Sequence, residues 1–458
     1  MKGLTLQRIA EVCAGSYVGR AEDAQREVSA ITTDSRKAEP GGLFAAIKGA
    51  RVDGHDFIPA VFEKGALCVL SEKELSNAEG NYILVESTLE ALKAIAQEYL
   101  EQLQIPVVGI TGSVGKTSTK EMIAAVLSQK YRVLKTAGNF NNELGLPLTV
   151  FRLCEEDEIA VLEMGISNFG EMHRLAKIAK PDTCVITNIG QCHLEFLGDR
   201  DGVLRAKSEI FDFLRPDGHI ILNGEDDKLS ELTQVKGICP VFFGFGKENA
   251  VYADRIEKKG FDGISCQIHT EKGSFTAQIP VPGMHMVLNA LAGTAVGLHY
   301  GLTTAQIRAG IESLQPVSGR FHIVHTEDYT IIDDCYNANP VSMKASLEVL
   351  QDGLGRKVAI LGDMAELGPE ERALHREVGE FAGSLDIDCC ICVGTLMTEL
   401  ADGISRVNSK IQVIQMDSLQ QLLQELPGLV KKDDTILIKA SHSMHFEKVV
   451  EWLGGSQA

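Results

Sequence analysis

No apolar run in this 458-residue chain approaches the ~20 residues that a membrane-spanning helix needs. The opening stretch, MKGLTLQRIAEVCAG, mixes charged and apolar positions and has no uninterrupted apolar core of a secretion signal. A chain without a membrane span, working in the cytoplasm, is therefore expected. Paired cysteine spacing of the metal-binding kind is also missing. The eleven cysteines are scattered, and the tightest group, Cys389, Cys390 and Cys392, falls inside IDCCICVG, which reads as a buried strand. Buried thiols without a secretion signal fit a reducing compartment. Positive charge is in short supply: 44 Lys and Arg face 63 Asp and Glu, a net charge of −19. That balance argues against a general binder of nucleic acid or of anionic membrane. It leaves room for an anionic small substrate, which a few local donors can hold against the global field.

The length predicts two to four domains, and the texture of the sequence divides it into three, all of the α/β class. Residues 1–85 hold short strand-like runs (LFAAI, LCVL, YILVES) between polar turns and read as a small α/β domain. Residues 86–317 begin with the amphipathic helix TLEALKAIAQEYLEQL, for which Thr88 is the expected N-cap. Strands and helices then alternate: IPVVGIT, KTSTKEMIAAVLSQ, EIAVLEMG, FGEMHRLAKIAK, TCVITNI, GVLRAKSEIFDFL, HIILNG. This rhythm predicts a parallel sheet covered on both faces. Residues 251–281 break it with a hairpin-like pattern, an expected antiparallel addition, and two helices follow. After the Pro- and Gly-bearing linker QPVSGR, which reads as a hinge, residues 318–458 restart the alternation as a second, smaller doubly wound sheet.

The stretch GITGSVGKTSTK, from Gly109 to Lys120, resembles a phosphate loop with one count wrong. The pattern G-x-x-x-x-G-K-[ST] wants glycine at position 110, where this chain has Ile110. Its strand–loop–helix context still suits phosphate. Gly112 and Gly115 let backbone N–H groups turn onto an anion at a helix N-terminus. Lys116 can reach outer phosphates, and the Thr117 hydroxyl can face Mg²⁺. Glu163 ends the strand IAVLEMG and His193 follows CVITNIG, so both are expected at the same sheet edge, where carboxylate, imidazole and hydroxyl would make a Mg²⁺ site. Lys207, taken alone, reads as a solvated helix lysine paired with Glu209 or Glu195. Two turns remain: SGRF around Arg320, and DDCYNANP from Asp333 to Pro340, whose order of acids, amides and an aromatic is too particular for turn chemistry alone.

Taken together in order, GITGSVGKTSTK, TAGNFNNELGLPLT, VLEMGISNFGEM, TNIGQCHLEFLG, AKSEIF, NALAG, GRF, IIDDCYNANPVSM and LGDMAELG resemble the Mur ligase superfamily over essentially the whole chain. Members of that superfamily are similar in carrying a shorter T-G-x-x-G-K-[ST] loop, which accounts for Ile110. The resemblance implies a UDP-sugar-binding N-terminal domain, a central P-loop ATPase-like parallel sheet and a C-terminal Rossmann-like domain. It implies ATP-dependent amide ligation through an acyl phosphate, in a bacterial cytoplasmic step of peptidoglycan precursor synthesis. Tyr336-Asn337-Ala338-Asn339-Pro340 and LGDMAELG resemble the branch that adds D-alanyl-D-alanine to UDP-N-acetylmuramoyl-tripeptide. The DNPR motif of the diaminopimelate-adding sister is missing.

By the same resemblance, ATP is held by Gly112, Ser113, Val114, Gly115, Lys116, Thr117 and Ser118, with Asn289 on the adenine side and Arg320, Asp334 and Asn339 from the third domain. Lys207 is implied to carry a carbamate that binds a second Mg²⁺, beside the first at Thr117, Glu163 and His193. Ser35, Arg36, Lys48 and Asp53, in TTDSRKAEPGGLFAAIKGARVDGHDF, are implied near the UDP moiety. A monomer with small-molecule substrates is expected. The chain departs from the family's pattern at Ala440 and His442, where glycine and arginine are usual, and at Met286, where many relatives have asparagine. Two rivals fit less well. A folylpolyglutamate synthase-like ligase lacks the muramoyl-type N-terminal domain and YNANP, and a P-loop switch without amide chemistry has no use for Glu163, His193 and Lys207 together.

Overall fold

In the computed structural model, which describes residues 1–75 and 80–455, three sheets follow one another along the chain. The first has five strands in the order Ser16–Val18, Asn81–Leu84, Cys68–Ser71, Leu43–Ala45, Ile31–Thr32, parallel except for the first pair. The second has nine: Gly273–Ile279, Ile264–Thr270, Val251–Lys258, Val241–Gly244, His219–Asn223, Thr183–Ile186, Val107–Thr111, Ile159–Glu163, Val133–Lys135. Only the contacts of Ile264–Thr270 with its two neighbours are antiparallel, so the hairpin expected in residues 251–281 sits at the edge of a parallel sheet. The third has six strands in the order His322–His325, Tyr329–Asp333, Asp434–Lys439, Lys357–Gly362, Cys389–Val393, Gln412–Met416, with only the first pair antiparallel. The α/β class with three sheet-bearing regions is as expected, and Cys389, Cys390 and Cys392 lie in a fully buried strand.

The helix Thr88–Leu103 starts at the residue expected to cap it, so the cap lies one residue earlier. Ser87 accepts a hydrogen bond from Glu90 N, in extended backbone, and is the N-cap. Thr88 is drawn inside, its N and Oγ1 both donating to Glu72 Oε1. A hydroxyl with a tertiary carboxylate partner is not free to cap.

The helix Lys116–Leu127 follows the glycine-bearing turn and is approached closely by small residues on its neighbours. The helix Met284–His299 is buried almost all round, as its continuous apolar sequence requires. The helix Thr304–Glu312 approaches so closely that a Cβ on Gly310 would lie 2.4 Å from Val126 Cα. The apolar core on this side runs on through Phe321 and Ala338 into the third sheet, while the core on the opposite face of the central sheet runs into the N-terminal one.

At the head of the third sheet, adjacent parallel strands bring Asp334 and Lys439 together in the interior. Lys439 Nζ donates to Asp334 Oδ2 at 2.5 Å and to Asn337 O at 2.9 Å, and Ser346 Oγ donates to the same carboxylate at 2.6 Å. A buried pair of this kind is expensive to break from one side. Lys439→Met is expected to destabilise the fold by about 3–5 kcal/mol. The double change Lys439→Met with Asp334→Leu should recover much of that loss, measured by calorimetric unfolding.

Candidate active site

Ile110 is no defect in a loop, because position 110 is still strand. It is fully buried and in register with Glu163 on one side and Val185 on the other. The turn begins at Gly112, with φ +151°, pressed so tightly on the neighbouring strand's exit that a Cβ would fall 1.9 Å from Thr187 Oγ1. That exit also pins the rest of the loop. Ser113 N donates to Asn188 O and Val114 N to Asn188 Oδ1, both at 3.0 Å, while Thr187 Oγ1 donates to Val114 O at 2.6 Å. Gly115, at φ +78°, then opens the helix without any side-chain cap, so the first-turn N–H groups stay available to an anion. Lys116 Nζ folds back onto Gly112 O at 2.9 Å.

Register places Glu163 beside this loop, 1% exposed. Its Oε1 accepts from Thr117 Oγ1 at 3.2 Å and from Asn141 Nδ2 at 2.8 Å, and its N donates to Thr136 Oγ1. Its Oε2 is buried without a hydrogen bond among the described residues, with Lys120 Nζ at 3.8 Å. A buried carboxylate oxygen with an unused lone pair next to a threonine hydroxyl suits a hard divalent cation. His193 comes to the same edge and is hydrogen-bonded through Nδ1 to Glu366 Oε2 of the third region at 2.5 Å. Among the described residues no three His, Cys, Asp or Glu side chains gather as a ready cage.

The reading of Lys207 as a solvated, paired lysine is overturned. It is 1% exposed and has no ion-pair partner among the described residues. Glu209, its expected partner, is instead taken by Gly170 N and His173 N. Burial, with help from the charge of Lys116, pulls the Lys207 ammonium down to about 8. Burial likewise lowers Lys116, and burial and then the charge of Lys207 lower His193. Three bases have been brought within electrostatic reach of one another, an arrangement that a polyphosphate would stabilise.

Lys116, Thr117, Glu163 and His193 face one cavity of about 870 Å³, roofed by the third region. The pair Asp333–Asp334 builds its side of the wall. Asp333 Oδ2 accepts from Gly319 N at 2.7 Å and from Ser318 Oγ, and Asp334 Oδ1 accepts from Phe321 N. The SGRF turn so fixed holds the Arg320 guanidinium 4.0 Å over the Tyr336 ring. Asn289 lines the cavity and accepts from Thr119 Oγ1 at 2.8 Å. Asn339 lines it too, but its side chain caps the helix Pro340–Leu350 in a box with Ser342. Ser113, Val114, Gly115, Thr117 and Ser118 also line it, while Gly112 and Lys207 do not.

Ser35, Arg36, Lys48 and Asp53 are not brought to this cavity. Arg36 forks onto Asp34, and Asp53 caps the turn at His55 while pairing with His55 Nδ1 and Lys73. Several lining residues carried no signal of their own in the sequence. Asn141 lies within the motif TAGNFNNELG without a legible role. His285, whose Nε2 is buried without a partner among the described residues and whose imidazole burial pulls down to about 4, looked like one more helix residue.

Comparison with known proteins agrees with this layout. Residues 110–297 match the family described as Mur ligase middle domain, residues 319–442 the Mur ligase, glutamate ligase domain, and residues 27–100 the Mur ligase family, catalytic domain. The chain is 38% identical, over 98% of its length and 97% of the relative's, to the UDP-N-acetylmuramoyl-tripeptide–D-alanyl-D-alanine ligase of Bacillus subtilis (strain 168). A crystal structure of MurF from Acinetobacter baumannii superposes with a TM-score of 0.90 at 33% identity, covering 98% of both chains. MurF ligase from Thermotoga maritima, solved in complex with ADP, superposes with a TM-score of 0.81 at 31% identity, covering 92% of this chain and 96% of that one.

A depressed lysine has a definite linkage. With a folded value of about 8 against an ordinary 10.5, the charged Lys207 costs stability fully below pH 8, and the cost fades as pH rises towards 10.5. Lys207→Met, which keeps the aliphatic volume, is expected to lose most activity yet raise the melting temperature at pH 7. That gain should shrink between pH 8 and pH 10.5 in melts run across the range.

Proposed function

The chain belongs to the Mur ligase family, and from that premise we propose that it is the ATP-dependent ligase joining D-alanyl-D-alanine to UDP-N-acetylmuramoyl-tripeptide. The relatives that carry this activity in their names match it from end to end. The observation that carries the reading to chemistry is the single cavity shared by the glycine loop and by Arg320, Tyr336 and Asp334 of the third region.

A carboxylate does not acylate an amine in neutral water, since it is anionic and offers a poor leaving group. In the proposed reaction a carboxylate oxygen of the tripeptide attacks the γ-phosphorus of ATP, ADP leaves, and an acyl phosphate forms. The dipeptide's amine nitrogen then attacks the acyl carbon, loses a proton and expels phosphate. The loop N–H groups and Lys116 are assigned to the phosphates, where charge shifts during transfer, and Arg320 to the nucleotide from the far side. Asn289 is assigned to the adenine side. ADP in the related Thermotoga maritima structure supports the use of ATP.

Mg²⁺ would be held by Thr117, Glu163 and His193 and would offset the charge of the triphosphate. The lone pair left on Glu163 Oε2 supports that assignment. Lys207 is assigned a carbamate that holds a second Mg²⁺; its lowered value supports this, because only the neutral amine captures CO₂. Ser35, Arg36, Lys48 and Asp53 are assigned to the UDP end of the substrate, away from the transfer centre. We divide the work among residues 1–85, 86–317 and 318–458, acting as one monomer that excludes water from the acyl phosphate when the third unit closes.

Supplied with ATP, Mg²⁺, UDP-N-acetylmuramoyl-tripeptide and D-alanyl-D-alanine, the protein is expected to yield the UDP-linked pentapeptide, ADP and phosphate, identified by mass. Omitting the dipeptide should stall ADP release, and free D-alanine should replace it poorly. Equal turnover with a single amino acid would overturn the dipeptide assignment, and ADP release indifferent to both substrates would overturn the ligase.

A further inference from the structure

The contact between His193 and Glu366 joins residues 173 apart in sequence and spans the central and third regions. Both residues adopt left-handed backbone, φ +53° at His193 and φ +61° at Glu366, although neither is glycine. Two such residues meeting at a 2.5 Å hydrogen bond mark a place where local strain is held by the surroundings. The loop carrying Glu366 is built to hold it. Met364 N donates to His375 Nε2 at 3.0 Å, and Ala365 N donates to Ser441 Oγ at 2.8 Å. Just beyond, Gly368 at φ +68° lets the loop come down on the central region, where a Cβ would fall 3.2 Å from Glu195 N.

The imidazole has two nitrogens with different partners. Nδ1 is committed to the carboxylate, while Nε2 makes no hydrogen bond among the described residues. A proton shared with a carboxylate at Nδ1 leaves Nε2 as the lone-pair nitrogen, the one able to bind a cation, and raises its basicity. We propose that Glu366 is a positioning residue that acts through His193, fixing the imidazole with its proton on Nδ1 and Nε2 free to ligate. The carboxylate comes from the third region and the imidazole from the central one, so the ligand is in its competent form only while the two are docked. Cation binding and docking are thereby coupled through one hydrogen bond. The inference rests on the proposed assignment of His193 to a divalent cation.

Mn²⁺ with a non-hydrolysable ATP analogue is the probe, titrated into the full chain by electron paramagnetic resonance. Glu366→Ala is expected to weaken Mn²⁺ binding by about 10-fold or more. Glu366→Gln, which keeps a carbonyl oxygen for Nδ1–H, should stay within about threefold of wild type. Glu366 is 46% exposed, so both variants should melt with the wild type. In the metal-free protein, histidine ¹⁵N spectra, with His193 assigned by His193→Gln, should show the Nδ1–H form in wild type and in Glu366→Gln and its loss in Glu366→Ala. Wild-type Mn²⁺ affinity in Glu366→Ala, or an unchanged imidazole signature, would overturn the proposal, as would a wild type that binds no Mn²⁺. A wild type that binds Mn²⁺ as expected but forms no pentapeptide would sink the function proposed above and leave this inference standing.

Discussion

Gly112 lies against Thr187 with no room for one more carbon, and the edge of the central sheet is organised around that contact. Because the loop cannot lift away, Asn188 can hold the N–H groups of Ser113 and Val114, and Gly115 can start a helix with its first turn open. Strand register does the remaining work. Glu163 is in step with Ile110, so its carboxylate reaches Thr117 as a consequence of parallel pairing. A Walker-type glycine at position 110 would put an unpacked residue into a fully buried strand, a poor exchange for a loop that already turns at Gly112.

The electrostatics run against the overall charge. A chain with a net charge of −19 gathers Lys116, Lys207, His193 and Arg320 around one cavity. Burial lowers the first three, which means that their charged forms are costly in the free protein. Lys116 and Lys207, stripped of water and without a carboxylate ion pair among the described residues, make a strong field for an anion and a weak contribution to stability. Glu163 is the one fully buried carboxylate near the loop, and one of its oxygens is left over. Lys116, His193 and Arg320 thus line the same cavity as the leftover acceptor of Glu163, the division a metal–triphosphate complex would need.

The third region completes the wall by several independent contacts. Asp333 and Asp334 hold the turn that lays Arg320 on Tyr336, and Lys439 and Ser346 hold Asp334. These ties lie within the third region, so its part of the site is held together by that region's own contacts. The Glu366–His193 hydrogen bond crosses to the central region at the same place where Gly368 meets Glu195. A site assembled from two bodies in this way is complete only when both are in place.

The sequence by itself determined what depends on neighbours along the chain. Alternating apolar runs and helical spacing declared three α/β regions, the hairpin at residues 251–281 was legible as a break in rhythm, and the glycine spacing from Gly109 to Lys120 declared a glycine turn between strand and helix. Motif order over the full length carried the family. Tertiary structure alone decided matters that depend on residues far apart. Ser87 rather than Thr88 caps its helix because Glu72 takes the threonine. Lys207 is buried without an ion-pair partner among the described residues, Glu209 being taken by Gly170 and His173, and no local pattern distinguishes such a lysine from a solvated one. Glu366 reaches His193 only because two sheets dock and two non-glycine residues accept left-handed backbone. Periodicity records which face of an element is apolar; it holds no record of which side chains from other elements will arrive there, and this site is made from those arrivals.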